Sequence, residues 1–242
     1  MRKLLILLIA FSSPLQLVSQ TATPAAKKPA AKKPSAATAL PPTAIIDTTA
    51  GKLTCVLFPD KAPIGVANFI GLARGTKDWT NPATGRKMHG VPLYNGTIFH
   101  RVIPDFMIQG GDPMGTGMGD PGYKFKNETS PDLQFDRPGR LAYANSGPDT
   151  NGSQFFVTEV PYPSLNGNYT IFGQCDDPSV ELVKKIARMP RDANDRPNDP
   201  PKIVKITLLH AGGAHTPAHK PVHKPVHKPG PKPAAPKTST PQ

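Results

Sequence analysis

Residues 99–112 read F-H-R-V-I-P-D-F-M-I-Q-G-G-D, and residues 144–156 read A-N-S-G-P-D-T-N-G-S-Q-F-F. Both segments set hydrogen-bonding side chains among large apolar ones. Neither pairs a nucleophile with a base, and neither gathers metal ligands. Such a mixture suits a site that grips an uncharged, apolar group and acts on it through fixed hydrogen bonds. Arg101 stands out, because it sits among Ile98, Phe99, Val102 and Ile103, where an idle charge is costly to bury. Arginine stays charged and presents a rigid fork of donors. Arg101 is therefore the candidate catalytic group; the plainer reading is an outward-facing arginine on a strand.

These residues need strands to hold them, and side chains alternate between the two faces of a strand. Met107 and Gln109 then share one face. Gln154 and Phe156 share another, with Phe155 and Val157 turned away. Facing each other, the two pairs make an apolar cup with amides at its rim. Pro148–Gly152 reads as the turn that positions Gln154. Alternation and turn residues predict strands over 43–48, 52–58, 98–103, 106–109, 139–145, 153–158, 170–175 and 203–209. One helix opens at Pro63, buries Val66, Phe69, Ile70 and Ala73, and ends at Gly75. A second is capped by Asp177 and buries Val180, Val183, Ile186 and Ala187 before Pro190. Residues 76–92, with the sole Trp, read as a long loop. Many short strands with turn signals predict a closed β-barrel or a sandwich, its open ends plugged by the two helices.

Composition divides the 242-residue chain. A basic start, the apolar run Leu4–Phe11, then Ser12, Ser13 and Pro14 mark residues 1–20 as a secretory signal peptide. The run is too short to cross a bilayer, which takes about 20 apolar residues; left uncut, it would tether the chain to a membrane. Residues 21–42 form an Ala/Pro/Lys linker and residues 212–242 a His/Lys/Pro tail, in which Val222-His223-Lys224-Pro225 is repeated as Val226-His227-Lys228-Pro229. Both are expected to be disordered, for lack of apolar surface to bury. His215, His219, His223 and His227 have no preformed geometry, so no metal site is assigned. Residues 43–211 form one domain, with 18 of the 29 basic residues and all 17 acidic ones. The ends thus carry nearly all of the net +12. That argues against a specific nucleic-acid groove on the domain and leaves the tails weak electrostatic contact with an anionic envelope. Cys55 and Cys175 fall in predicted strands; a disulfide and two buried thiols are both open readings.

Taken together, in this order and spacing, the two opening segments resemble the signature of the cyclophilin-type peptidyl-prolyl cis-trans isomerases. The resemblance spans about residues 43–210. It implies a mainly β fold: a closed eight-stranded antiparallel β-barrel capped by two α-helices. It also implies a cofactor-independent isomerase acting on Pro-containing polypeptides. With the signal peptide, that reads as a monomeric folding helper for exported proteins, periplasmic or extracellular. Arg101 falls on the family's catalytic arginine. Phe106, Met107, Phe156 and Leu165 fall on the proline pocket. Arg101, Gln109, Gln154 and the backbone of Asn145 fall where the substrate amide is held, with Ala144 and Ser146 on the neighbouring groove. Two positions depart from many eukaryotic members: Ser164 replaces a Trp, and Tyr169, kept as a substrate-site candidate, replaces a His. Loss of the indole predicts weak cyclosporin binding. Gly117–Gly122 fits G-x-G-x-x-G, but Pro121 and the strand-like 123–126 allow no helix to follow, so no dinucleotide site is assigned. The alternative is a non-catalytic module that binds Pro-containing peptides, which would not need Arg101.

Overall fold

A computed structural model describes residues 40–210. The signal peptide, nearly all of the linker and the repeat tail lie outside the described residues. In chain order the strands are β1 (Thr43–Thr48), β2 (Gly51–Leu57), β3 (Trp79–Thr80), β4 (Lys87–Met88), β5 (Arg101–Ile103), β6 (Met107–Gly110), β7 (Arg140–Tyr143), β8 (Phe155–Thr158), β9 (Ile171–Cys175) and β10 (Ile203–Leu209). Helix α1 (Pro63–Arg74) follows β2, and α2 (Asp177–Ala187) follows β9. The small β3–β4 ribbon folds inside the segment expected to be a loop.

Eight antiparallel strands form one sheet in the order β10-β1-β2-β9-β7-β8-β6-β5. The expected closed barrel is not formed: the sheet is an open half-barrel. The reason lies at β5, which was expected from Ile98 but starts at Arg101. Residues 96–99 instead meet the approach to β10 through separate bonds, Phe99 N–H to Pro201 O at 2.9 Å and Ile203 N–H to Thr97 O at 2.8 Å. Further along, Val102 N–H donates to Asp195 O at 2.8 Å, in the loop before β10. A loop thus covers an edge that a ladder would otherwise close.

The helices follow from their end residues. Pro63 starts α1, and Gly75 ends it at φ 74, a left-handed conformation natural to glycine. Val66, Phe69 and Ala73 are buried as expected, while Ile70 is only half-buried and Leu72 is fully buried. In α2 the cap is Asp176 rather than Asp177. Its carboxylate accepts Ser179 N–H at 3.0 Å, the geometry of an N-cap, and Asp177 becomes the first helical residue, where its charge suits the helix dipole.

The main core lies between the sheet and the helices. Its centre is a ring cluster in which Phe69 lies 5.1 Å from Tyr94, 5.7 Å from Phe155 and 5.1 Å from Phe172. Cys55 and Cys175 stand opposite each other on β2 and β9 and are joined as a disulfide. Buried Asn68 of α1 donates to Tyr143 Oη at 3.1 Å and to Gly152 O at 3.0 Å, and accepts from Tyr123 Oη at 2.7 Å. This clasp ties α1 to the chain entering β8. Burial pushes the Tyr143 hydroxyl well above its ordinary pKa, keeping it a neutral donor to Gly65 O.

Candidate active site

Strand register assembles the site. Arg101 on β5 pairs with Gln109 on β6, Gln109 with Phe156 on β8, and Phe156 with Ala142 on β7. Two segments more than forty residues apart in sequence thereby form one row on one sheet face. The Met–Gln and Gln–Phe pairs do not face each other across two sheets, as expected; they lie side by side on the outer face of one. Ile108, Phe155 and Val157 turn into the main core, as the period of two requires.

Arg101, Phe106, Met107, Gln109, Ala144, Asn145, Phe156, Leu165 and Tyr169 line a single cavity of about 120 Å³. Its floor is a second apolar cluster of Met107, Phe135, Ala142, Phe156 and Ile171, separate from the main core. Tyr169 meets Phe156 edge-on at 5.6 Å. Neighbours Phe106 and Met107 both reach the cavity because β6 begins only at Met107 and Asp105 before them turns at φ 56. Buried Glu159 fixes that turn: it accepts Asp105 N–H at 2.9 Å, and its own N–H donates to Phe106 O at 2.8 Å. Ser164 is exposed. Trp79 does not stand in for an indole there, being buried in the main core with Nε1–H on Val91 O at 2.9 Å.

Ser146 and Gln154 belong to an adjoining cavity of about 230 Å³ that shares Ala144 and Asn145 with the first. Gln154 Nε2 donates to Gly117 O at 3.0 Å and Gly119 O at 2.8 Å. Its Oε1 is thereby left to accept Gln109 Nε2 at 2.9 Å, which fixes the orientation of both amides. The Asn145 side chain donates to Asn168 O at 3.0 Å and accepts Gly147 N–H at 3.2 Å, anchoring its main chain beside both cavities.

The loop bearing Gly117 and Gly119 is more than a connector, and its organiser, Asp112, was missed in the sequence. Asp112 is fully buried and accepts the N–H groups of Met114, Thr116, Gly117 and Gly119 at 2.6 to 3.2 Å. Burial pushes its carboxyl pKa up, but these four donors outweigh burial and hold it below the ordinary value. A Cβ on Gly119 would lie 2.0 Å from Asp112 Oδ1, so only glycine fits. The signal available was an Asp followed by glycines at 115, 117 and 119, a pattern that favours side-chain-to-backbone turns.

Arg101 stands at the rim with its side chain 43% exposed, and Asp195 Oδ2 lies 3.8 Å from its Nε. Neighbouring His100 is buried, and its ring nitrogens have no hydrogen-bond partner among the described residues. Burial lowers its pKa, so at neutral pH it adds no second positive charge beside Arg101. The arrangement offers an apolar floor, oriented amides and a cationic donor at one edge. It can seat an apolar ring and hydrogen-bond to the group carrying it.

Comparison with known proteins agrees with this geometry. The family model described as "Cyclophilin type peptidyl-prolyl cis-trans isomerase/CLD" matches residues 43–208. Over 167 residues the chain is 52% identical to peptidyl-prolyl cis-trans isomerase A of Mycobacterium tuberculosis, covering 69% of this chain and 91% of that protein. Human peptidyl-prolyl cis-trans isomerase-like 1 is 43% identical over 168 residues, with 68% and 91% covered. A crystal structure of a cyclophilin-type isomerase from Cryptosporidium parvum superposes with a TM-score of 0.59 at 38% identity, covering 69% of this chain and 96% of that one. The chain belongs to the cyclophilin-type peptidyl-prolyl cis-trans isomerases. It is an enzyme of that class, and the class works without a cofactor.

Proposed function

We propose that Phe106, Met107, Phe156 and Leu165 receive the prolyl ring of an X-Pro peptide while Arg101 accelerates rotation about its imide bond. The rotation barrier, about 18–20 kcal/mol, comes from conjugation between nitrogen and carbonyl. In the twisted transition state that conjugation is lost and the nitrogen regains a lone pair. A guanidinium N–H at the rim has an acceptor there that the planar states lack, so it stabilises the transition state selectively. Gln109, Gln154 and the Asn145 main chain hold the flanking amides. Ala144 and Ser146 border the path of the residue before proline, and Tyr169 closes the side of the pocket. No proton moves, so no base is needed.

The observation that carries this reading is the register row Arg101–Gln109–Phe156, which sets a cation directly beside an apolar floor. A charge-assisted hydrogen bond contributes about 1.5–3 kcal/mol, or roughly one to two decades in rate. Arg101→Ala and Arg101→Lys are each expected to lose about that much in cis–trans exchange NMR of a short X-Pro peptide while keeping the folded spectrum. Wild-type turnover in either variant would refute the role.

We further infer that the enzyme is exported and acts as a monomer on Pro-containing polypeptides folding in the periplasm or outside the cell. The Met1–Pro14 pattern supports this, and so does the Cys55–Cys175 disulfide, since disulfides persist in oxidising compartments. The basic ends would add weak contact with an anionic envelope. N-terminal sequencing of the chain from fractionated cells tests the export step. An uncut chain in the cytosol would overturn it.

A further inference from the structure

We propose that Asp195 is a positioning residue for Arg101: it engages the Nε edge of the guanidinium and so directs the terminal Nη atoms to the cavity. This rests on the role of Arg101 proposed above. Asp195 comes from the loop between α2 and β10. Its carbonyl accepts Val102 N–H at 2.8 Å, which fastens the loop to the outer edge of β5 one residue past Arg101. Its carboxylate then lies between two arginines, with Oδ2 3.8 Å from Arg101 Nε and Oδ1 3.3 Å from Arg191 Nε. The loop is braced from within. Asp192 Oδ1 accepts the N–H groups of Asn194 at 2.8 Å and Arg196 at 3.0 Å, and Asp192 N–H donates to Arg196 O at 2.9 Å. Arg196 in turn reaches the carbonyl of Gly115, at the base of the loop that orients Gln154.

Asp195 adopts φ 63, a conformation in which glycine is the unstrained choice. Aspartate also visits it, as Asp105 and Asp149 do in this chain, and here it places the carboxylate against the cation. An arginine side chain carries considerable rotamer freedom, which is lost when its donors engage a substrate. Holding Nε removes part of that freedom beforehand and leaves the far edge of the fork to donate. Arg191 keeps the arrangement positive: two guanidiniums share one carboxylate, so Asp195 orients Arg101 without cancelling its charge.

The positive φ makes the test clean. Asp195→Gly suits the backbone and removes only the carboxylate. It is expected to keep the wild-type melting temperature, to lower kcat by about fivefold as befits a half-exposed ion pair, and to leave KM unchanged. Asp195→Asn, which keeps the shape but not the charge, is expected to lose as much, because at 3.8 Å the contact is an ion pair without a hydrogen bond. In an Arg101→Ala background Asp195→Gly should change nothing further, because it acts through the arginine. Wild-type kcat in Asp195→Gly, or the same fractional loss in both backgrounds, would overturn the proposal. Failure of the underlying reading looks different: Arg101→Ala would itself turn over at the wild-type rate.

Discussion

Phe155 and Phe156 are neighbours in one strand, yet they belong to different parts of the molecule. Phe155 is fully buried in the main core, edge-on to Phe69 and Tyr94 at 5.7 and 5.6 Å. Phe156 points the other way, into the small cluster that floors the cavity, stacked on Phe135 at 5.8 Å. The first region closes on itself and adds a disulfide. The second leaves about 120 Å³ unfilled and keeps polar groups around the opening. The core and the candidate site are thus separated by one residue step along β8.

The largest expected effect tests that separation directly. Phe155→Ala should cost about 3–5 kcal/mol of stability, as full ring deletions in cores do. Phe156→Ala should cost less in denaturant unfolding and mainly weaken peptide binding, raising KM. Similar stability losses without a KM difference would break the comparison. Next comes the disulfide, which joins residues 120 apart in sequence. Reduction, or Cys55→Ala with Cys175→Ala, should lower stability by about 2–5 kcal/mol, the chain-entropy argument giving the upper end, while turnover of the folded fraction stays unchanged. A change in kcat at constant fold would tie the two regions together.

The smallest effect is a pH step. His100 has its folded pKa lowered by burial from an ordinary 6.5. On acidification the unfolded chain takes up the proton first. Its contribution to stability is therefore complete above about pH 6.5 and is lost as pH falls toward the folded value. Melting temperatures should drop through this window in the wild type, and that component should vanish in His100→Leu. An identical drop in both would assign it to other groups.

Local patterns were the most legible part of the sequence. β1 and β10 end where alternation placed them, and the faces of Met107, Gln109, Gln154 and Phe156 follow from a period of two. Nine of the expected site residues share one cavity: register brings Arg101, Met107, Gln109 and Phe156 together, and the turns and loops beside the strands add the other five. What failed depended on distant partners. Whether the sheet closes is decided by where residues 96–99 and Asp195 send their hydrogen bonds. Asn68 looks like a polar interruption in a helix until Tyr123, Tyr143 and Gly152 surround it. Asp112 matters through backbone donors that only the folded loop presents. The pairing of Cys55 with Cys175 needs the β2–β9 register, which neither strand encodes alone.

The row from Arg101 through Gln109 and Phe156 to Ala142 crosses four strands of only three or four residues each. Slippage by a single position in β6 would turn Gln109 into the interior and push Ile108 out to the solvent. An insertion or deletion there would invert the face that carries the candidate site instead of merely loosening it. Length variation in this chain is therefore tolerable at exposed turns such as 82–86, between β3 and β4, and intolerable within β5, β6, β7 and β8.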